Sequence, residues 1–237
     1  MTRPKFRQLA ALLLLSLLLQ GCSNYSQLAD TQSQPANFPD SFYLQAEPNQ
    51  VYRIDSQFSQ IIVTVRRGGL MARLGHDHIV ASNHVQGIIY LDRENQRCRA
   101  QLFVPLNILE VDNLQLRSAA DMTTKPSAAD IEGTTSNMLK SIEVEKFPFA
   151  QLHSQNCSGA LSGQPVPVTL SIHGVNQNRS LNISLQQPDE AQLFISGDFA
   201  ILQTDFGIEP FSIMNGLIKV QDRLHLSFQL RAQQTQP

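Results

Sequence analysis

The chain has 237 residues, with 18 Lys and Arg against 20 Asp and Glu, a formal charge of −2, and 42% hydrophobic residues. It carries no basic patch, which excludes backbone-driven recognition of nucleic acid. The length suits one large β domain or two small ones.

The first element is a leader. Arg3, Lys5 and Arg7 precede an apolar run from Leu9 to Leu19 that only Ser16 interrupts, and the run ends in "LQGC" at Cys22. A run of eleven residues behind a basic start is too short for a stable bilayer span and matches a secretory signal. Gly21 followed by Cys22 resembles a bacterial lipoprotein signal, which implies cleavage after Gly21 and acylation of Cys22. Several acyl chains anchor a protein where one is marginal. Ser23 is not aspartate, so the expected location is the periplasmic face of the outer membrane. Removing residues 1–21 leaves 15 basic and 20 acidic residues, a charge of −5.

Residues 22–48 are rich in Ser, Gln, Asn and Pro and read as a flexible tether. The domain is expected over 49–233. Within it, period-2 alternation dominates. Ile61, Val63 and Val65 share one face of "IIVTVRR"; Cys98, Ala100, Leu102 and Val104 share one face of "CRAQLFV". Val166, Val168, Leu170 and Ile172 do the same, as do Leu181, Ile183 and Leu185, and finally Leu224, Leu226, Phe228 and Leu230. Half-buried strands of this kind call for an antiparallel sheet, and closing it into a barrel removes the exposed edges. Alternation stops over 111–146, where one or two short helices are predicted, near 127–131 and 135–141, crossing a barrel end.

Cys98 opens one strand-like run and Cys157 closes another. If those runs are antiparallel neighbours, the two cysteines meet, and an oxidising compartment favours a disulfide over two buried thiols.

No G-x-S-x-G, G-x-G-x-x-G, Walker, C-x-x-C or H-E-x-x-H pattern occurs, and the carboxylates Asp205 and Glu209 read as solvated. The expectation is a protein that is not an enzyme, with no catalytic residues and no cofactor. The densest polar chemistry is "LMARLGHDH". On an extended strand His76 and His78 face the same way, about 7 Å apart. Three readings stand: two ligands of a metal, a polar lip for a bound molecule, or a turn that satisfies its own backbone.

Four stretches resemble the polyisoprenoid-binding YceI-like family. They are "VYRIDSQFSQIIVTV" through Tyr52, Ile54, Asp55 and Ser59; "EGTTSNMLKSIEVEKFPFAQL" through Gly133, Thr134, Asn137, Met138, Leu139, Phe147 and Pro148; "VTLSIHGVNQNRSLNI" at Gly174; and "GDFAILQTDFGIEPFS" through Asp205, Phe206 and Gly207. The resemblance covers about 51–230 and implies a lipocalin-like, up-and-down antiparallel barrel that holds a long isoprenoid or other amphiphilic chain. "RLGHDHIVASNH" departs from the family's commoner Gly-Phe type stretch. The expected lining is Ile61, Val63, Val65, Leu102, Val104, Val168, Leu170, Leu226 and Phe228, and the expected lip is Arg73, His76, Asp77 and His78. The partners are then an apolar small molecule and, through Cys22, a membrane. The alternatives are a metal-binding or redox-linked envelope protein using His76 and His78, and a structural envelope protein with no ligand.

Overall fold

The computed structural model describes residues 34–36, 38 and 40–235; the leader, Cys22 and most of the expected tether lie outside them. Among the described residues, no helix is long and apolar enough to cross a membrane.

Strands β1 (Val51–Ile54) and β2 (Gln60–Gly68) form one line of chain, bent at a short 3-10 turn over Ser56–Phe58. β3 (His78–Ser82) pairs with β2, and β4 (Gln86–Asp92) pairs with β1. β5 (Arg97–Pro105) lies beside β4, and the two-residue β6 (Glu110–Val111) pairs with β3. Next come β7 (Phe149–Ser154), β8 (Val166–Ile172) and β9 (Val175–Leu181), each antiparallel to the one before, with β7 on β5. β9 runs through Asn182 into β10 (Ile183–Asp189), which pairs with β11 (Gln192–Leu202). After the short β12 (Ser212–Ile213), β13 (Ile218–Gln234) pairs with β11 on one side and with β2 and β1 on the other. The pairings therefore return to their start. Eight staves close the circuit: β1/β2, β3/β4, β5, β7, β8, β9/β10, β11 and β13. This is the expected up-and-down antiparallel barrel.

Alternation explains the interior. Along β13 the even positions from Leu224 to Ala232 turn inward, while His225, Ser227 and Gln229 are exposed. Val166, Val168, Leu170, Leu181, Ile195, Leu230 and Ala232 belong to one buried cluster. β8 and β9 join through His173 (φ 52°) and Gly174 (φ 74°), the positive pair that a two-residue hairpin turn requires.

Three findings depart from the sequence reading. The first concerns the tether. Its last part is docked, not free: Asp40–Leu44 is a short helix, α1. Tyr43 is buried with Val51, Ile88 and Tyr90, and Phe38, Phe42 and Ala46 pack around them. The cause is aromatic content, because Phe38, Phe42 and Tyr43 cover the outward face of β1 and β4. Arg99 lies 4.4 Å above the Phe42 ring. Secondly, the one or two short helices foreseen near 127–131 and 135–141 are a single continuous helix, α3 (Ala128–Ser141). Ser127 and Asp130 form a reciprocal capping box. Gly133 costs about 1 kcal/mol against alanine, too little to break the run. Thirdly, α2 (Leu114–Ala119) was not foreseen. The Asn113 side chain starts it by accepting from the Gln115 and Leu116 amides.

Cys98 and Cys157 are bonded, with Cα atoms 4.8 Å apart. Cys98 lies near the start of β5 and Cys157 just past the end of β7, and the Cys157 amide donates to the Cys98 carbonyl at 3.1 Å.

Candidate functional site

The barrel is hollow. One compartment of about 210 Å³ runs from the disulfide end to mid-barrel. Its walls include Ile61, Val63, Leu102, Val104, Val168, Leu170, Leu226 and Phe228. Only Ser82, Gln151 and Ser154 bring polar side chains to it. A second compartment of about 250 Å³ continues towards α3 and takes in Val65. The two share Val63, Val80, Leu106, Leu109, Ala150, Ile172 and Leu226, so these residues form the waist of one channel.

The α3 end differs chemically. Here His78, Thr134, Asn137, Ser141 and Gln203 add polar groups to Met138, Ile142, Ile201, Ile208 and Phe211. α3 thus lies across this end and contributes one face to the wall.

The four lip residues separate. Arg73 is exposed on a 3-10 turn at Ala72–Leu74 and does not face the channel. Asp77 turns the other way from its histidine neighbours. It accepts from Arg66 Nη1 at 2.7 Å and from the Arg67 amide at 2.9 Å. Burial alone would raise the Asp77 carboxyl, but these donors outweigh it and hold it below the usual carboxylate range. His76 and His78 come together, with ring centroids 4.6 Å apart.

A carboxylate 34 residues on fixes His78. Its Nδ1 lies 2.7 Å from Asp112 Oδ2. Asp112 Oδ1 accepts from the Ile79 amide at 3.1 Å and from Arg117 Nη1. Arg117 is only 2% exposed. Its remaining donors reach the Asp77 carbonyl at 2.7 Å, the Thr124 carbonyl at 2.9 Å and Thr124 Oγ1 at 2.6 Å. Burial pushes the Asp112 carboxyl up, yet the bonds from His78, the Ile79 amide and Arg117 bring it below its ordinary value. The His76 ring is shifted down, first by burial and next by His78 and Arg117.

Sequence reasoning missed Asp112 and Arg117. Nothing in "LEVDNLQLR" marks a partner for a distant histidine, and α2, which carries Arg117, was itself unforeseen. It also passed over Val80, Val85 and Ile89. β4 is buried on both faces, with Ile88 and Tyr90 outward under α1 and Ile89 and Leu91 inward, so no alternation shows.

Among the described residues, no serine, threonine or cysteine hydrogen-bonds to the His76 or His78 ring. Asp205 is paired with Arg179 at 2.6 Å instead of with Glu209. His84, His153 and His225 do not join the cluster, and His173 serves the β8–β9 turn, with Nδ1 3.0 Å from the Phe206 carbonyl.

Comparison with known proteins agrees with this architecture. Solved structures share the fold, among them the following two. Burkholderia cenocepacia BcnA is 14% identical at a TM-score of 0.55, over 75% of this chain and 98% of its own. A polyisoprenoid binding domain from Saccharophagus degradans, implicated in plant cell wall breakdown, is 15% identical at 0.55, over 77% of this chain and 98% of its own. The search of curated proteins returned no match. The YceI-like domain model matches residues 52–232, which is the whole barrel, and the chain therefore belongs to the YceI-like domain family.

Proposed function

We propose that the protein is a lipid-anchored periplasmic carrier that holds one long apolar or amphiphilic chain, of the isoprenoid class, inside its barrel. The observation that carries this reading is the channel itself. Apolar strand residues that face inward usually fill an interior, but here they line empty space with few polar groups. Small-molecule sites span roughly 300–1,000 Å³, and the two neighbouring compartments, of about 210 and 250 Å³, each approach that range. An extended chain would gain about 0.8 kcal/mol for each methylene removed from water. Its polar head would sit at the α3 end, beside His78, Thr134, Asn137, Ser141 and Gln203. The Saccharophagus degradans domain of the same fold, described as polyisoprenoid binding, supports the choice of ligand class.

The location is part of the same proposal and rests on "LQGC" at residues 19–22. Cys22 would carry the lipid, and Ser23 favours the outer membrane.

The test is native mass spectrometry of the full chain, exported to a periplasm and purified without chelator. An extra mass of several hundred daltons, removed by organic extraction, is the expected result. A bare chain mass that persists after incubation with polyprenyl phosphate and with free prenyl alcohols would overturn the reading.

A further inference from the structure

We infer that His76 and His78 form a binding site for one divalent transition-metal ion, of the kind that prefers imidazole, at the α3 end of the barrel. The inference does not depend on what fills the channel. Three observations meet at this point. His76, His78 and Asp112 each present a ligand atom, and these atoms all lie within 4.8 Å of one another. Donors on one ion sit about 2.0–2.1 Å from it, hence about 3–4 Å from each other. Asp112 holds the His78 ring, so the adjustment falls to the His76 ring.

The second observation is the tautomer. Asp112 accepts at 2.7 Å from His78 Nδ1, so that nitrogen carries a proton and Nε2 is the ring atom left to face an ion. A carboxylate behind the far nitrogen of an imidazole is the usual support of a metal-ligating histidine. Asp112 cannot swing away to another task, because the Ile79 amide and Arg117 hold its other oxygen. It orients His78 and need not touch the ion. Asp112 and Arg117 also offset each other's charge, so the site is not strongly cationic before an ion enters.

The third is an orphan. His76 Nε2 is buried and has no hydrogen-bond partner. Such an atom ordinarily costs about 1–3 kcal/mol and calls for an explanation. A metal ion supplies one: His76 and His78 each give a neutral nitrogen, and the open positions go to water or to a bound head group. Imidazole donors with open positions suit Zn²⁺, Ni²⁺ and Cu²⁺, with Cu²⁺ held most tightly.

The experiment uses the full chain in detergent, stripped of metal and titrated with Zn²⁺ by calorimetry and with Cu²⁺ by electron paramagnetic resonance. One ion per chain is expected, with hyperfine splitting from two nitrogens. His76→Gln leaves the Asp112–Arg117 contact untouched and should weaken Zn²⁺ binding at least about tenfold, on the scale of a lost ligand or its support. His225→Gln, on the exposed face of β13, should leave it unchanged. Three results would each overturn the inference: no Zn²⁺ binding, a Cu²⁺ spectrum without two-nitrogen coupling in the unaltered protein, or His76→Gln binding as well as the parent with its circular dichroism intact.

Discussion

Asp112 is the residue on which the α3 end depends. From the loop before α2 it ties the start of β3, through His78 and Ile79 more than thirty residues back, to Arg117 within α2, five residues on. Its backbone is itself unusual, with φ 56°, a left-handed value that aspartate tolerates better than most residues. Replacing it by asparagine would keep the shape and remove the charge that balances Arg117. Breaking a buried ion pair from one side costs about 3–5 kcal/mol. Asp112→Asn is expected to lower the unfolding free energy by that order, read from denaturant titration, and Arg66→Gln on the exposed Asp77 pair by less than about 1 kcal/mol. If the two variants were equally stable, the Asp112–Arg117 pair would not be holding this end together.

At the scale of elements, the waist of the channel separates a hollow barrel from a packed one. Val63 on β2 lines both compartments. In a filled core Val63→Phe would cost about 1–3 kcal/mol through overpacking. Here the larger ring has space to enter, so stability should hold within about 1 kcal/mol while any mass carried in the channel is lost. The β4–β5 hairpin makes a separate prediction about acid. Asp92, fully buried at the end of β4, accepts from Arg97, from the Asn95 side chain and from the Asn95 amide, and these bonds hold its carboxyl far below the usual range. Asp222 is shifted the same way, chiefly by Thr204. A carboxyl depressed in the fold adds stability above its unfolded value, and that stability drains away as pH falls through the folded one. Unfolding free energy should therefore fall as the pH drops below about 4, and Asp92→Asn should flatten that slope. The elements also show what a sequence makes legible. β8 and β13 were readable because each is wet on one face, so their side chains alternate. β4 was not, since α1 covers its outer face. Likewise the His76–His78 density was visible along nine residues, whereas Asp112 entered through a tertiary contact with no local pattern.

For the molecule as a whole, the disulfide and the final strand fix closure. The bond between Cys98 and Cys157 spans 59 residues, and a loop of that length removes about 4 kcal/mol of chain entropy from the unfolded state. Replacing both cysteines by alanine is expected to cost about 2–4 kcal/mol, measured by denaturant unfolding with and without reductant. The reduced parent should match the variant. A larger loss in the variant than in the reduced parent would mean that the sulfur atoms also matter for packing. β13 has a different consequence, one of timing. It is the last strand among the described residues, yet it pairs with β1 and β2, the first strands, as well as with β11. Contacts of such sequence separation slow folding, placing barrels of this kind in the millisecond-to-second range or beyond. A nascent chain that lacks its final 17-residue strand has β2 and β11 as open, hydrogen-bonding edges. The barrel therefore closes only once β13 has docked, and until then those two edges are the surfaces a chaperone must shield.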